Sequence, residues 1–460
     1  MCPDTAGGRT EAVMRVTPIS GFPEWSPEGR IIEQQMIEQL RLSFESFGFA
    51  PIQTRALEPL EHLLAKGETD KEIYTVQRLQ AEAGDKEPGL GLHFDLTVPF
   101  ARYVLENRGK LQFPFKRYQI QKVWRGERPQ RGRYREFYQA DIDVIGRDRL
   151  PLHFDAEIPL VLHQVLSALP IPKVEIHVNN RKLIEGFYRG IGIEDVAAVL
   201  RTVDKLAKIG AEGVFKILTE RVGLDPVQAS QCLALADIHS ADTSFADQVR
   251  ALGVEHPLLD EGISELSFVI ESAAHLPEGA VQADLALARG LDYYTGTVYE
   301  SFFVDNPEVG AVCSGGRYDN LASGGKERFP GVGLSVGLTR ILGILFDQGK
   351  LTVTRPTPTC VLVALASEDK RAESTEVAAA LRARGVNCEV FHERKAFGKQ
   401  IKYASRRKIP YVWFPAGASK ERVHRLRDIR TGEQFDVDPA SWMPPEADLL
   451  PRVMGASEES

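Results

Sequence analysis

Residues 122–143, KVWRGERPQRGRYREFYQADID, place six basic side chains (Lys122, Arg125, Arg128, Arg131, Arg133, Arg135) within fourteen positions, then change abruptly to aromatics, an amide and two acids. Apolar residues alternate on either side, at Tyr118, Ile120 and Val123 before the run and at Phe137, Ile142 and Val144 after it. A period of two marks a half-buried strand, so the segment reads as two antiparallel strands joined by a basic loop. Arginine dominates over lysine, which favours bidentate capture of phosphate, because the planar guanidinium matches two phosphate oxygens at once. Arg125 and Glu127, two apart, are expected on one face of a strand, where they suit a phosphate and an adenine edge. Phe137 on the returning strand suits stacking on a base, an interaction of ~1–3 kcal/mol. A solvated basic hairpin is the alternative.

The chain has 460 residues, 43% of them hydrophobic, which suffices for two or three domains with their own cores. No apolar run approaches the ~20 residues that cross a bilayer, and the first twenty residues lack the layout of a secretory signal. A soluble, cytoplasmic protein with no membrane partner is expected. Five cysteines lie far apart with no C-x-x-C pair, which argues against a zinc site or a disulfide framework. The net charge of −8 hides a split: residues 356–440 hold 16 Lys and Arg against 11 Asp and Glu, a balance of +5, leaving −13 on the rest.

The expected fold class is α/β with α+β character. Apolar spacing at Ile31, Ile32, Met36, Leu40, Phe44 and Phe47 predicts a helix over 30–47, followed by short strands, so that 1–178 forms the first part of a domain. Residues 179–278, rich in Leu, Ala, Glu and Asp at helical spacing, read as a helical insertion. Strand-like, glycine-punctuated sequence resumes at Ala283 and leads to an apolar helix over 338–346, so 279–355 completes the split domain. After a linker at 354–358, strands over 361–364, 386–391 and 411–414 alternate with helices over 375–384 and 398–408. This makes 356–440 a small module with a partly parallel sheet, and 441–460, rich in Pro and Glu, a tail with little fixed structure. Asp95 and Thr97 are expected to alternate along a strand, and Gln139 and Asp143 to share a strand face. Gly331–Gly337 is glycine-rich, but its spacing does not suit a dinucleotide site.

Four segments carry a family resemblance. Phe115 to Gly146, with R-x-E and R-Y-R-E-F-Y-Q-A-D, resembles motif 2 of the class II aminoacyl-tRNA synthetases, and of the histidyl-tRNA synthetases in particular. Ala288 to Gly296 resembles the R-G-L-D-Y-Y signature of that family, Cys313 to Asp319 its second signature, and Gly331 to Arg340 class II motif 3. The similarity runs in the family's order from about residue 17 to 440. It implies an antiparallel catalytic sheet flanked by helices, a helical insertion and a C-terminal α/β anticodon-binding domain.

The resemblance further implies ATP-dependent ligation of L-histidine to tRNA(His) through histidyl-adenylate, releasing AMP and pyrophosphate. ATP would enter as its Mg2+ complex, with no resident metal and no prosthetic group. Arg125 would hold the α-phosphate and the carboxylate, Arg133 and Arg340 the outer phosphates, Glu127 the adenine amino group and Phe137 the adenine face. Arg289 would stand beside the α-phosphate as a fixed electrophile, making Arg289 and Arg125 the catalytic pair. Histidine would contact Asp95, Leu96, Thr97, Arg125 and Arg289, with Gln139 on its ammonium, Asp143 and Tyr294 on its imidazole nitrogens, and Tyr293 and Tyr318 as walls. Arg128, Gln130 and Arg135 would touch tRNA, as would the basic face of the C-terminal module from Arg394 to Arg427. A homodimer through Arg41 to Pro51 is implied as well. Two rivals stand beside this: a non-catalytic, histidine-binding regulatory relative that controls ATP phosphoribosyltransferase, and a generic nucleic-acid-binding protein. The first generally lacks the C-terminal module and the electrophilic arginine, and the second leaves Asp95, Gln139 and Asp143 unexplained.

Overall fold

Ser26 and Pro27 set the start of the first helix, Pro27–Ser46. The Ser26 hydroxyl accepts from the Gly29 N–H at 3.3 Å, and proline at the first helical position sacrifices only a donor that has no partner there. The helix therefore begins at Pro27 instead of Arg30, and it buries Ile32, Met36, Leu40 and Phe44, about one residue per turn. The computed structural model describes residues 17–64, 72–78, 89–288, 294–324, 327–418 and 422–455.

Among the described residues, nine strands form the principal sheet. Their order is Ala50–Pro51, Phe115–Trp124, Glu136–Ile145, Glu327–Val336, Cys313–Gly324, Thr297–Phe303, Val174–Asn180, Val281–Asp284 and His239–Ser240. The middle six run antiparallel to their neighbours; Ala50–Pro51 pairs parallel with Phe115–Trp124, and Val281–Asp284 parallel with Val174–Asn180. The basic segment is thus the loop of an antiparallel hairpin, as its alternation predicts. On the returning strand Ala140, Ile142 and Val144 are fully buried in the main core, so residues 139, 141 and 143 occupy the opposite face.

The helical segment shares that core instead of building its own, with Leu183, Phe187, Val199, Leu259 and Leu266 in one cluster with the sheet residues. Helices Arg181–Gly190 and Pro257–Ser272 meet backbone to backbone at two glycines. A Cβ on Gly186 would lie 2.2 Å from the Leu259 nitrogen, and one on Gly262 2.1 Å from the Leu183 nitrogen. Backbone cannot yield as a flexible side chain does, so Gly262→Ala is expected to destabilise the fold by about 1–3 kcal/mol or more. Thermal unfolding of the variant measures this, and an unchanged melting temperature would show that the two helices separate freely.

In the C-terminal sheet the order is Cys388–Val390, Val361–Val363, Tyr411–Phe414, Arg425–Asp428 and Gln434–Asp436, the first three parallel. Val361–Val363 is apolar throughout because it is buried on both faces, between one cluster holding Val377 and Trp413 and another holding Phe391 and Ala404. The expected unstructured tail is corrected as far as residue 455. Glu446–Leu449 is helical, and Val453–Gly455 pairs antiparallel with Leu351–Val353. The presumed linker is equally embedded: Arg355, 3% exposed, donates to the carbonyls of Thr357 and Leu449, and Arg430 and Tyr411 both bind Asp448. Composition concealed this because the tail's strand partner is supplied from a hundred residues upstream. Among the described residues no helix is long and apolar enough to cross a membrane.

Candidate active site

Strand register arranges the polar face of the sheet in rows. One row runs Gly316, Gly333, Asp143, Arg117 and the next Ser314, Ser335, Asp141, Gln119, each across four adjacent strands. Glycine hollows the first row: a Cβ on Gly333 would lie 2.3 Å from Asp143 Oδ1, and one on Gly316 would lie 2.8 Å from the Tyr294 ring. The resulting deep cavity, about 60 Å³, is walled by Asp95, Thr97, Arg125, Gln139, Asp141, Asp143, Tyr294 and Tyr318 with the two serines.

Of the residues expected to contact histidine, Asp95, Thr97, Arg125, Gln139, Asp143, Tyr294 and Tyr318 line one cavity, but not all from the predicted elements. The strand near Asp95 ends at Leu92, Thr97 opens helix Thr97–Asn107, and Asp95 Oδ1 accepts from the Val98 N–H at 3.0 Å. Asp95 and Thr97 therefore reach the cavity from a helix start; Pro99 is tolerated in a first helical turn and was the available sign. Leu96 is fully buried, and its carbonyl accepts from Arg117 at 3.4 Å, so its side chain forms no part of the cavity wall. Asp143 is held on both oxygens: the Tyr318 hydroxyl donates to Oδ1 at 2.7 Å, and Arg117 pairs with Oδ2 at 2.5 Å. Gln139 donates from Nε2 to Ser335 Oγ at 2.9 Å.

Arg117, Asp141, Ser314 and Ser335 carry this site and were not singled out from the sequence. Arg117 is fully buried, with its guanidinium 4.3 Å from the centre of the Phe100 ring. Its signal was the register itself, since a hairpin turning between 124 and 136 sets residue 117 opposite 143. Asp141 lies midway between Gln139 and Asp143 on the same face. Burial pushes its carboxyl up to about 7, with the Asp143 charge adding to the rise and Arg117 opposing it.

A larger outer cavity, about 240 Å³, adjoins the deep one and shares Arg125, Gln139, Ser314 and Ser335 with it; Glu127, Arg133, Phe137, Glu300 and Arg340 line the remainder. Arg125 and Glu127 do not project from a strand, because the outgoing strand stops at Trp124. Beyond it the Arg125 N–H bonds the Arg135 carbonyl at 2.9 Å and the Gly126 N–H the Glu72 carbonyl at 2.8 Å, so the two side chains enter the cavity from an anchored loop. The Arg125 guanidinium donates to the Phe94 carbonyl at 3.0 Å and sits 5.2 Å over the Phe137 ring. Arg133 pairs with Glu127 at 3.5 Å, and Arg340 donates to the Val309 carbonyl.

At the loop tip Arg128 and Gln130 are exposed, whereas Arg135 turns back to donate to the carbonyls of Glu127 and Ser20. Arg289 and Tyr293 lie outside the described residues, as does Lys420 of the C-terminal basic set. Arg394, Lys395, Lys399, Lys402 and Arg406 are exposed, while Arg407 pairs with Glu389 and Arg425 with Asp436. The charge balance differs between the two: three carboxylates and Arg125 line the deep cavity, and three arginines against Glu127 and Glu300 line the outer one.

Residues 21–341 match the family described as histidyl-tRNA synthetase, and residues 359–443 match the anticodon binding domain. A histidine–tRNA ligase from Micrococcus luteus is 55% identical, with 96% of this chain and all of that protein covered. One from Thermobifida fusca is 54% identical over 94% of this chain and 99% of its own length. The crystal structure of histidyl-tRNA synthetase from Nostoc sp. PCC 7120 superposes with a TM-score of 0.82 at 34% identity, covering 92% of this chain and 97% of that one. A cavity of carboxylates and an amide that shares Arg125 with a cavity of arginines and aromatics, together with identity above half along nearly the full length, places this chain in the histidyl-tRNA synthetase family.

Proposed function

We propose that the chain activates L-histidine with ATP, forming histidyl-adenylate and pyrophosphate, and transfers the histidyl group to the terminal ribose of tRNA(His), releasing AMP. The observation that carries this is the meeting of the two cavities at Arg125. An amino acid whose cationic groups face Asp95, Gln139 and Asp143 would present its carboxylate toward Arg125, while ATP in the outer cavity would bring its α-phosphate to the same guanidinium. In-line attack then needs no protein nucleophile, only alignment and neutralisation of developing negative charge. Glu127 and Phe137 would take the adenine, and Arg133 and Arg340 the outer phosphates. On the resemblance, Arg289 is the electrophile at the α-phosphate and Tyr293 a wall of the amino-acid site. Arginines outnumber Glu127 and Glu300 in the outer cavity, which fits Mg2+ arriving on ATP and held by phosphate and water.

We assign 1–178 and 279–355 to the catalytic domain, 179–278 to the insertion and 356–440 to tRNA anticodon binding, with Arg128 and Gln130 contacting the tRNA end. A cytoplasmic homodimer through Arg41 to Pro51 completes the reading, supported by the turn at Gly48 (φ 78°) that leads the first helix into Ala50–Pro51. The regulatory alternative is disfavoured by the anticodon-binding match over 359–443 and by the ligases aligned along nearly the whole chain. Histidine-dependent exchange of labelled pyrophosphate into ATP is the direct test. Exchange with histidine alone among the amino acids is expected; none at saturating histidine would refute the activity, and exchange with another amino acid would refute the specificity.

A further inference from the structure

We propose that Asp141 is an additional histidine-recognition residue, a counter-ion that surrenders a proton to solvent as the substrate's ammonium enters the deep cavity. The proposal rests on the synthetase reading above. Of the three carboxylates there, Asp143 already holds Tyr318 and Arg117, and Asp95 holds the Val98 N–H. Asp141, only 2% exposed, is hydrogen-bonded by the Ser335 side chain, yet its buried Oδ1 has no partner among the described residues, and neither has Oε1 of Gln139. These two residues occupy successive positions on one strand face and line the same cavity. Two buried acceptors lining one cavity without partners suit a ligand that donates, and an ammonium offers three N–H bonds and no acceptor.

The cross-strand neighbour of Asp141 argues for where the proton resides before histidine enters. Asp141 is in register with Gln119, whose amide nitrogen donates to Thr54 and Gln121, leaving Gln119 Oε1 also buried and without a partner among the described residues. A protonated Asp141 carboxyl, cross-strand from Gln119, would supply the donor that these acceptors lack. Burial, reinforced by the Asp143 charge and opposed by Arg117, moves this group's titration to about 7. The other charged or titratable groups around it are Asp95, Arg125, Tyr294 and Tyr318. On binding, the carboxyl O–H bond breaks, its proton passes to water, and the resulting carboxylate accepts from the ammonium; one cation enters and one proton leaves. Histidine affinity should therefore weaken as pH falls below about 7, by up to ~10-fold per unit, and level off above it.

The test compares the full-length protein with Asp141→Asn in pyrophosphate exchange from pH 6 to 8.5. Histidine binding is also measured calorimetrically in two buffers of different ionisation heat. Asp141→Asn should raise the histidine KM ~10–100-fold with little change in the ATP KM, and at pH 7 it should release about half a proton less than the parent. Its unliganded melting temperature at pH 8 should not fall, because the substitution removes a carboxyl whose raised folded pKa withdraws stability as pH climbs through about 7. Unchanged KM and proton release in the variant would overturn the assignment while leaving the synthetase reading intact. Should the variant not fold, the parent decides: no release beyond the titration of free histidine overturns the proposal. Absence of histidine-dependent exchange in the parent would instead refute the reading on which it rests.

Discussion

Arg125→Ala is expected to reduce histidine-dependent pyrophosphate exchange by ~10²–10³-fold, the scale set by removing one preorganised donor from a developing negative charge. Arg125 is the one cationic residue common to both cavities among the described residues, so on the proposed reading it is the described cation placed to hold the attacking carboxylate and the α-phosphate together. The loss should fall on kcat as well as on both KM values, since on the proposed reading the guanidinium would bridge the reactants and position each. Its anchorage is the Phe94 carbonyl and the ring face of Phe137, and the half-buried Glu72 that it helps to neutralise keeps Arg133 nearby, so the melting temperature should change little. Arg125→Lys should recover little, because an ammonium cannot fork across two groups as a guanidinium does. More than a tenth of parental exchange in Arg125→Ala would place the reaction elsewhere.

The hairpin that delivers Arg125 was legible because apolar alternation survives on both of its strands, at Tyr118 and Val123 and again at Ile142 and Val144. The same periodicity failed at the loop's root. Arg125 and Glu127 looked like strand neighbours, yet the strand had ended at Trp124, with Gly126 bound to the distant Glu72 carbonyl. Asp95 and Thr97 failed similarly, because three residues of extended chain pass into a helix before any period can be recognised. Arg117 and Asp141 were invisible for a different reason. Single-strand patterns reveal which face a residue occupies, whereas their roles arise from cross-strand rows that join 117 to 143 and 119 to 141. The tail strand Val453–Gly455 depends entirely on Leu351–Val353, a partner that local composition does not announce.

The second large effect is on stability, at a pair that lines neither cavity. Asp155, fully buried in helix His153–Ser167, receives Arg317 Nη2 at 2.6 Å and Nε at 3.1 and 3.2 Å, with the Thr297 hydroxyl at 2.8 Å. Arg317 also donates to the Leu150 carbonyl, and Tyr299 donates to the carbonyl of Asp155, so one carboxylate ties the helix to two strands of the sheet. Asp155→Ala leaves the buried Arg317 guanidinium with only the partly exposed Asp319, 3.3 Å away, as a carboxylate partner, a loss expected to cost about 3–5 kcal/mol in denaturant unfolding. The cost measures the orphaned charge more than the worth of the bond. The double variant Asp155→Leu with Arg317→Met should therefore regain most of it, and a double variant no more stable than the single one would show that packing, not charge, sets the effect. Arg317 immediately precedes Tyr318, which holds Asp143 in the deep cavity. Even where the double variant recovers stability, its histidine KM should stay raised, because the strand carrying Tyr318 is no longer fixed to the helix behind it.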